Sequence, residues 1–451
     1  MKRILLISLL GVAAVCSAQT NNAPLTLDEA ITLAISKSKA GQLGRLKVET
    51  ADAELKAAQR VAFPQLHAYG AATHLRDPME VKVGQGSLTS VVNQTGSALG
   101  LGPFSFSQFP TQDLSLAKGS QTPRVGSLMF VQPLSQLWRI DSGVRAAKAG
   151  VTEAQRESQQ IDAKLRLAIE ELFAGLVVES RRTAEKQATL AWQERRLRDA
   201  EVAQQSGELL DESVLGLKAA VIQARTELTR SQQDYARLSL QLADLIGRSG
   251  ADNLVVADNL PTREDHSLEY WTSQAANNPE RMIAAATLEK ATAGVRASRQ
   301  AYIPEVSLVG GAYAQEGIPL VSKNNAIAGL ALSWDVFDFG RRRADISRAV
   351  SQRRAAEVNR DRLEEEAARQ IRLAHQDVVF GDQQIALAQQ AVAFRKRAAE
   401  LAHQSAGNGL ALETAALEAD AELRKSETDL LGASCQRHVA LLHLYFLSGK
   451  L

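Results

Sequence analysis

Cysteine is almost absent from this 451-residue sequence, which contains only Cys16 and Cys435. Cys16 lies in an apolar N-terminal stretch that reads as a cleaved signal, so the mature chain would keep one thiol and form no intrachain disulfide. The fold must therefore be held by packing.

Nucleic acid is not indicated as a partner, because 52 basic and 51 acidic residues leave a net charge of +1 without a basic stripe.

Long hydrophobic runs are also missing. No stretch after the N-terminus has the ~20 consecutive apolar residues of a membrane-spanning helix. Residues 1–18 are predicted to be a secretory signal peptide, with Lys2 and Arg3 before an apolar core and small residues at the cleavage site. A lipoprotein signal with Cys16 as the acylated residue is the alternative. Either signal predicts export.

Proline is missing from residues 134–260 and from residues 320–451. Because proline costs ~3 kcal/mol inside a helix, these two runs predict two long helical hairpins. Gly207 and Gly409 are the candidate turns. Aromatic residues make up only 5% of the chain, and this composition suits helices packed as coiled coils.

A heptad pattern is present in the second hairpin. Large residues recur every seven positions, and small residues fall three positions after four of them, which predicts a seam that lets helices approach closely. One helix up to Gly407 would be roughly 100 Å long at 1.5 Å per residue. The large positions are Ile371, Val378, Ile385, Val392 and Ala399, and the small ones are Ala374, Gly381, Ala388 and Ala402.

Four short segments are predicted to be strands: 65–75, 125–134, 305–314 and 327–337. The first two are separated by a long loop, residues 76–124, and the last two by a short one. The order helix, strand, loop, strand and helical hairpin occurs in residues 19–247 and again in 265–451, joined by a linker at 248–264. This predicts an internal duplication.

Four strands per chain do not close a sheet, whereas three chains would supply the twelve strands of an outer-membrane-type barrel. The predicted fold class is therefore mainly α with membrane β: long α-helical hairpins forming an α-barrel tunnel, and four strands contributing to a trimeric 12-stranded β-barrel. A soluble β-sandwich capping a coiled coil is the alternative. The predicted lipid-facing residues are Leu128, Phe130, Leu134, Leu330, Leu332, Trp334 and Val336.

Several short motifs, in this order and partly duplicated, make the chain resemble outer-membrane efflux proteins of the TolC family. The second half carries Val-Phe-Asp-Phe-Gly-Arg-Arg at 336–342 and Gly-Leu at 409–410. The first half carries Leu-Thr-Leu-Asp-Glu-Ala at 25–30 and Gln-Pro-Leu at 132–134, and Pro64 and Pro304 mark matching helix-to-strand joins.

The resemblance implies a homotrimeric exit duct in the cell outer membrane that extends into the periplasm and contacts outer-membrane lipid. Its partners would be a periplasmic adaptor and an inner-membrane transporter of the RND or ABC type, in a tripartite efflux pump or a type I secretion system. The hairpin turns would be the tips where the adaptor docks. The implied docking residues are Gly207, Leu209, Gly409 and Leu410, and the candidate gate acids are Asp211, Glu212, Glu413 and Glu418.

Catalytic motifs are lacking. The sequence has no His-Glu-x-x-His or Cys-x-x-Cys pair and no glycine-rich phosphate loop, so no enzyme activity, metal or cofactor is predicted. Cys435 and His438 share a helix face, but seam packing is favoured over metal binding there. The competing function is a periplasmic coiled-coil adaptor or scaffold without a pore, although two hairpins and few strands are atypical of adaptors.

Overall fold

The computed structural model describes residues 24–99, 108–248, 254–257 and 260–451. The predicted signal peptide, residues 1–18, lies outside the described residues. The chain divides into two compact units. The helical unit takes Met1–Leu46, Arg156–Met282 and Leu363–Leu451, and the sheet unit takes Lys47–Gln155 and Ile283–Arg362. Each unit draws on both predicted sequence repeats, 19–247 and 265–451, so the duplication remains a prediction.

Two very long helices confirm the prediction drawn from the missing prolines. Helix α4 has 69 residues and α8 has 67, and the helices that follow them, α5 and α9, have 35 residues each. In chain order the helices are α1 Leu27–Lys37, α2 Lys39–Arg60, α3 Thr89–Ala98, α4 Leu137–Gln205, α5 Asp211–Leu245, α6 Leu268–Gln274, α7 Pro279–Gln300, α8 Arg341–Gly407 and α9 Glu413–Leu447.

No helix among the described residues combines the length and the apolarity needed to cross a membrane.

The first helical stretch is divided into two helices. Thr26 caps α1, and Thr26 and Glu29 form a reciprocal capping box. The chain leaves the helical conformation at Ser38, whose ψ is 130°, and the Ser38 hydroxyl accepts a hydrogen bond from the Ala40 amide at 3.2 Å. A serine side chain can replace a helical backbone partner in this way, which explains the break.

The sheet unit contains one four-stranded antiparallel sheet with the order β1-β4-β5-β6. It joins the two predicted strand pairs within a single chain, through the contact between β4 and β5. The strands are β1 Gln65–Ala72, β2 Glu80–Val83, β3 Leu114–Lys118, β4 Arg124–Pro133, β5 Glu305–Glu316 and β6 Asn324–Ser333.

The segment at 76–124, predicted to be a loop, contains regular structure. Strands β2 and β3 pair antiparallel with an irregularity between Val81 and Lys82, and α3 lies between them in the chain. The pairing joins residues more than 30 positions apart, from Glu80 to Lys118, so a local sequence pattern did not reveal it. Helix α3 has no buried residue.

The helical unit has two buried clusters. In one, Phe173 of α4 packs with residues of α1 and α5 and with Val256 of the predicted linker. In the other, Trp271 of α6 packs against Ile371 and Val378 of the α8 seam and against the end of α9. The predicted large seam positions therefore lie in the core at Ile371 and Val378, and the others are buried or half-buried.

The small seam positions allow a close approach of α8 and α9. A Cβ atom at Gly381 would lie 2.9 Å from Cβ and 3.2 Å from Cα of Arg437. Atoms this near the backbone cannot move aside without shifting α9. A Cβ atom added at Gly432 of α9 would meet open space instead.

These two glycines provide a matched test of the seam. Alanine is favoured over glycine in a helix by roughly 0.5–1 kcal/mol, so we expect Gly432→Ala to raise the thermal unfolding temperature. We expect Gly381→Ala to lower it, because the clash exceeds the gain in helix propensity. Thermal unfolding followed by circular dichroism checks both, and equal shifts in the two variants would contradict the close approach.

Candidate functional site at the hairpin tips and the sheet face

The two hairpin turns have the same backbone geometry. Gly207 and Gly409 adopt φ values of +79° and +71°, which favour glycine. The amide after Gly207 donates to the carbonyl of Ala203 at 2.9 Å, and the amide after Gly409 donates to that of Ser405 at 2.8 Å. Both helices thus end in a Schellman-type motif, which fixes the direction of the chain at each tip.

Exposed leucines follow both turns. Leu410 is 81% exposed, and Leu210 and Leu412 are 75% and 73% exposed. Leu210 and Leu412 are the N-cap residues of α5 and α9, and both have an extended backbone conformation. Leu209, the candidate from the sequence, is half-buried. Sequence reasoning missed Leu210 and Leu412, although both lie three residues after their turn glycine.

The candidate gate acids are all exposed and lie at the starts of α5 and α9. Asp211 accepts a hydrogen bond from Gln204 at 2.6 Å, which ties the start of α5 to the end of α4. Glu413 forms an ion pair with Arg195 of α4 at 3.2 Å. Glu212 is in the first turn of α5, and Glu418 is one turn into α9. Carboxylates in a first helical turn also offset the helix dipole, by ~0.3–1 kcal/mol.

Four of the seven predicted lipid-facing residues share one face of the sheet. Paired residues of an antiparallel sheet point to the same side, and side chains alternate along each strand. Phe130 pairs with Gly310, and Leu330 pairs with Leu308, so the rows of β4, β5 and β6 align. That face carries Leu66, Ala68, Leu128, Phe130, Val306, Leu308, Ala312, Ala326, Ala328, Leu330 and Leu332.

The other three predicted lipid-facing residues lie beyond the strands. Strand β4 ends at Pro133, before Leu134, and β6 ends at Ser333, before Trp334 and Val336. The sequence placed the end of this strand at 337 because apolar residues continue to alternate there. Asp335 instead contacts the start of α8. Its backbone carbonyl accepts a hydrogen bond from Arg342, and its carboxylate accepts one from Arg341.

Both outer strands of the sheet have one open edge. Among the described residues, β1 pairs only with β4, and β6 pairs only with β5. Leu330 on the apolar face is 71% exposed in the single chain. An apolar face and two unpaired edges are features that a soluble sheet normally avoids.

A buried ion pair joins the predicted linker to α4. Glu170 is 3% exposed and accepts two hydrogen bonds from Arg263, at 2.6 and 2.9 Å. Nε2 of His438 lies 3.5 Å from the same carboxylate. Burial disfavours the charged form of Glu170, but the contact with His438 and the hydrogen bonds from Arg263 outweigh it and lower the pKa of Glu170.

The surroundings of Cys435 and His438 do not favour metal binding by these two residues. Burial raises the pKa of the Cys435 thiol to about 11, so the metal-binding thiolate is disfavoured. The described ranges contain no group of three or more His, Cys, Asp or Glu residues placed to hold a metal ion.

The Glu170 ion pair makes a stability prediction. Replacing Glu170 with Ala leaves the half-buried Arg263 without its partner, which we expect to cost up to about 3–5 kcal/mol of unfolding free energy. The control is Glu422→Ala, because Glu422 forms a more exposed pair with Arg395 and its loss should cost at most ~1 kcal/mol. Denaturant unfolding measures both, and similar losses in the two variants would contradict the assignment.

The same ion pair predicts the sign of a pH effect. A carboxyl group with a lowered folded-state pKa adds stability above its ordinary pKa, here 4.5, and that stability is lost as pH falls through the folded value. The difference in unfolding free energy between the wild type and Glu170→Gln should therefore shrink as pH is lowered below about 4.5. A difference that grows in acid would reverse this assignment.

Long helical hairpins with a small antiparallel sheet define the class of protein to which this chain is similar: outer-membrane channels. The chain matches the outer membrane protein VceC from Vibrio cholerae with a TM-score of 0.72 at 18% identity, over 94% of this chain and 96% of that one. It matches the Campylobacter jejuni CmeC outer membrane channel with a TM-score of 0.74 at 14% identity, over 94% and 85%. At these identities the likeness establishes the fold alone.

A family match then supports the resemblance independently. Residues 272–450 match the family described as outer membrane efflux protein. A membrane protein from Pseudomonas aeruginosa is similar in fold, with a TM-score of 0.74 and 17% identity over 94% of this chain and 90% of that one. No curated protein matches the chain by sequence. The resemblance drawn from the sequence motifs is thus confirmed, and residues 272–450 are the part of the chain that the family match covers.

Proposed function

We propose that this protein is a passive exit duct in the cell outer membrane, part of a tripartite efflux pump or a type I secretion system. Three copies would close their sheets into a 12-stranded barrel, and their hairpins would form a tunnel into the periplasm. A periplasmic adaptor and an inner-membrane transporter of the RND or ABC type would supply energy and select the cargo. The efflux-protein family match supports this assignment.

The observation that carries the proposal is the sheet. Its apolar face is exposed in the single chain, and within the described residues its outer strands β1 and β6 have unpaired edges. A lipid bilayer excludes open edges, because each unsatisfied backbone group there costs several kcal/mol. Association of copies through β1 and β6 would remove the edges and leave the apolar face toward lipid.

Conductance of the purified protein tests the duct directly. We expect stable single-channel currents when the detergent-solubilised trimer is added to a planar lipid bilayer. Mass measurement in detergent checks the trimer in the same preparation. A trimer without conductance would contradict the pore, and a monomeric protein recovered in the soluble periplasm would favour the adaptor or scaffold alternative.

Neighbouring residues on β6 test which face meets lipid. Leu330 lies on the apolar face, and Ala331 lies on the opposite one. We expect Leu330→Arg to reduce membrane insertion strongly, because arginine on the lipid face of a barrel costs ~2–4 kcal/mol near the midplane. Ala331→Arg should insert normally. Quantitative recovery of both variants in the outer-membrane fraction checks this, and equal insertion would contradict the assigned face.

The exposed leucines at the tips test adaptor docking. We expect Leu410→Asp and Leu412→Asp to reduce export at least ten-fold, which corresponds to a loss of ~1.4 kcal/mol in adaptor binding. The matched control is Leu387→Asp, since Leu387 is an exposed leucine in the middle of α8. Export of a pump substrate is measured together with trimer recovery. Full export by the tip variants would exclude these leucines from the docking surface.

A further inference from the structure

The four-stranded sheet has its helix connections at one end and two loop segments at the other. Helices α2 and α7 precede β1 and β5, and α4 and α8 follow β4 and β6. Because neighbouring strands of this antiparallel sheet run in opposite directions, all four helix connections lie at the same end. The other end carries the segment at 76–124 and the turn between β5 and β6, residues 317–322. In the proposed duct, this second end is the outer mouth.

A buried glutamine holds the 317–322 turn in one conformation. Gln315 is 7% exposed, and its side-chain amide donates to the carbonyl of Val321 at 2.7 Å and to that of Ile318 at 3.2 Å. Its side-chain oxygen accepts a hydrogen bond from the Ile318 amide at 3.0 Å. The backbone of the turn therefore encloses the Gln315 side chain, and releasing the turn would leave a buried amide without partners.

The turn lies on the side of the sheet opposite to the apolar face. Gln315 pairs with Val125, one position along from the pair of Ala314 and Gly126. Ala314 shares the side of Ala312 on the apolar face, so the Gln315 side chain points to the other side. Since the turn encloses that side chain, the turn folds toward the same side. In the proposed duct, this side lines the pore.

Two glycines fix the turn against the base of the 76–124 segment. The Ser120 amide donates a hydrogen bond to the Gly317 carbonyl at 2.9 Å. A Cβ atom at Gly119 would lie 2.5 Å from that carbonyl oxygen, and a Cβ atom at Gly317 would lie 2.5 Å from Cβ of Ser120. The two segments thus touch backbone to backbone, and this contact holds the turn in place from outside the sheet.

Apolar side chains occupy the tip of this turn. Leu320 is 76% exposed and Val321 is 45% exposed, and residues 317–322 include no charged side chain. Leu320 has a φ of +62°, in the left-handed region that glycine and asparagine adopt more readily than leucine. An exposed leucine in such a conformation contributes little to the packing of its own chain, and backbone strain of this kind is typical of functional positions.

We propose that the 317–322 turn forms an apolar constriction at the outer mouth of the duct, and that Leu320 is the side chain that contacts passing cargo. This inference rests on the proposed function, because three copies of the turn must surround one pore. Water leaves an apolar constriction readily, so such a ring opposes small hydrated ions more than molecules with apolar surface. The outlet therefore adds a preference for apolar cargo to the selection made by the transporter.

Single-channel conductance of the purified full-length trimer tests the constriction. Leu320→Asn and Leu320→Gly suit the left-handed backbone and remove the apolar side chain. We expect each to raise the conductance of small ions by roughly 1.5-fold or more, because water fills a polar constriction more readily. The matched control is Leu88→Asn, since Leu88 is an exposed leucine at the N-cap of α3, where asparagine is favoured. Its conductance should equal that of the wild type.

Thiol modification provides a second test that does not depend on conductance differences between variants. We expect Leu320→Cys to lose most of its current after treatment with a negatively charged methanethiosulfonate reagent, because a charged group is then attached inside the constriction. The wild type should be unaffected, because Cys435 is buried and Cys16 precedes the predicted cleavage site. Ala326→Cys, on the apolar face of β6, should also keep its current.

The outcomes separate this inference from the duct itself. A conducting wild type whose Leu320→Cys variant keeps its current after modification would overturn the constriction and leave the duct intact. Equal conductance in the Leu320 and Leu88 variants would do the same. If no recovered trimer conducts, the duct is wrong and the constriction is wrong with it.

Discussion

Close packing along the seam between α8 and α9 is the constraint on which the second helical hairpin depends. Isolated helices are only marginally stable in water, so a 67-residue helix needs tertiary contacts along its length. The seam supplies them by alternating buried Ile371 and Val378 with small residues such as Gly381. The small residues bring the two backbones together, and the large ones then fill the space between adjacent turns.

Near the tips, polar contacts take the place of buried packing in holding the helices together. The last turns before Gly207 and Gly409 lack large buried clusters, and the helices there are joined by ion pairs and hydrogen bonds between exposed side chains. Such contacts are individually weak and depend on charge. The tips are therefore the part of each hairpin that a binding partner can most readily alter, whereas the apolar clusters around Phe173 and Trp271 are fixed by packing.

Fold likeness at 14–18% identity follows from the same physical requirements. A coiled-coil seam requires the periodic placement of large and small residues and tolerates many choices at each position. A sheet face requires only alternation of apolar and other residues. Few positions require one particular residue, as the turn glycines with positive φ do, so many different sequences are compatible with this fold.

Local rules were sufficient for much of this protein. The missing prolines, the heptad seam and the two turn glycines determined the long helices and the positions of their turns, because these features depend on residues close in sequence. Tertiary structure alone decided the rest. The β2–β3 pairing within 76–124, the end of β6 before Trp334 and the exposure of Leu210 and Leu412 depend on contacts between distant segments. So does the ion pair between Glu413 and Arg195, because a side chain's partner on another helix is set by how the helices pack, which no local pattern encodes.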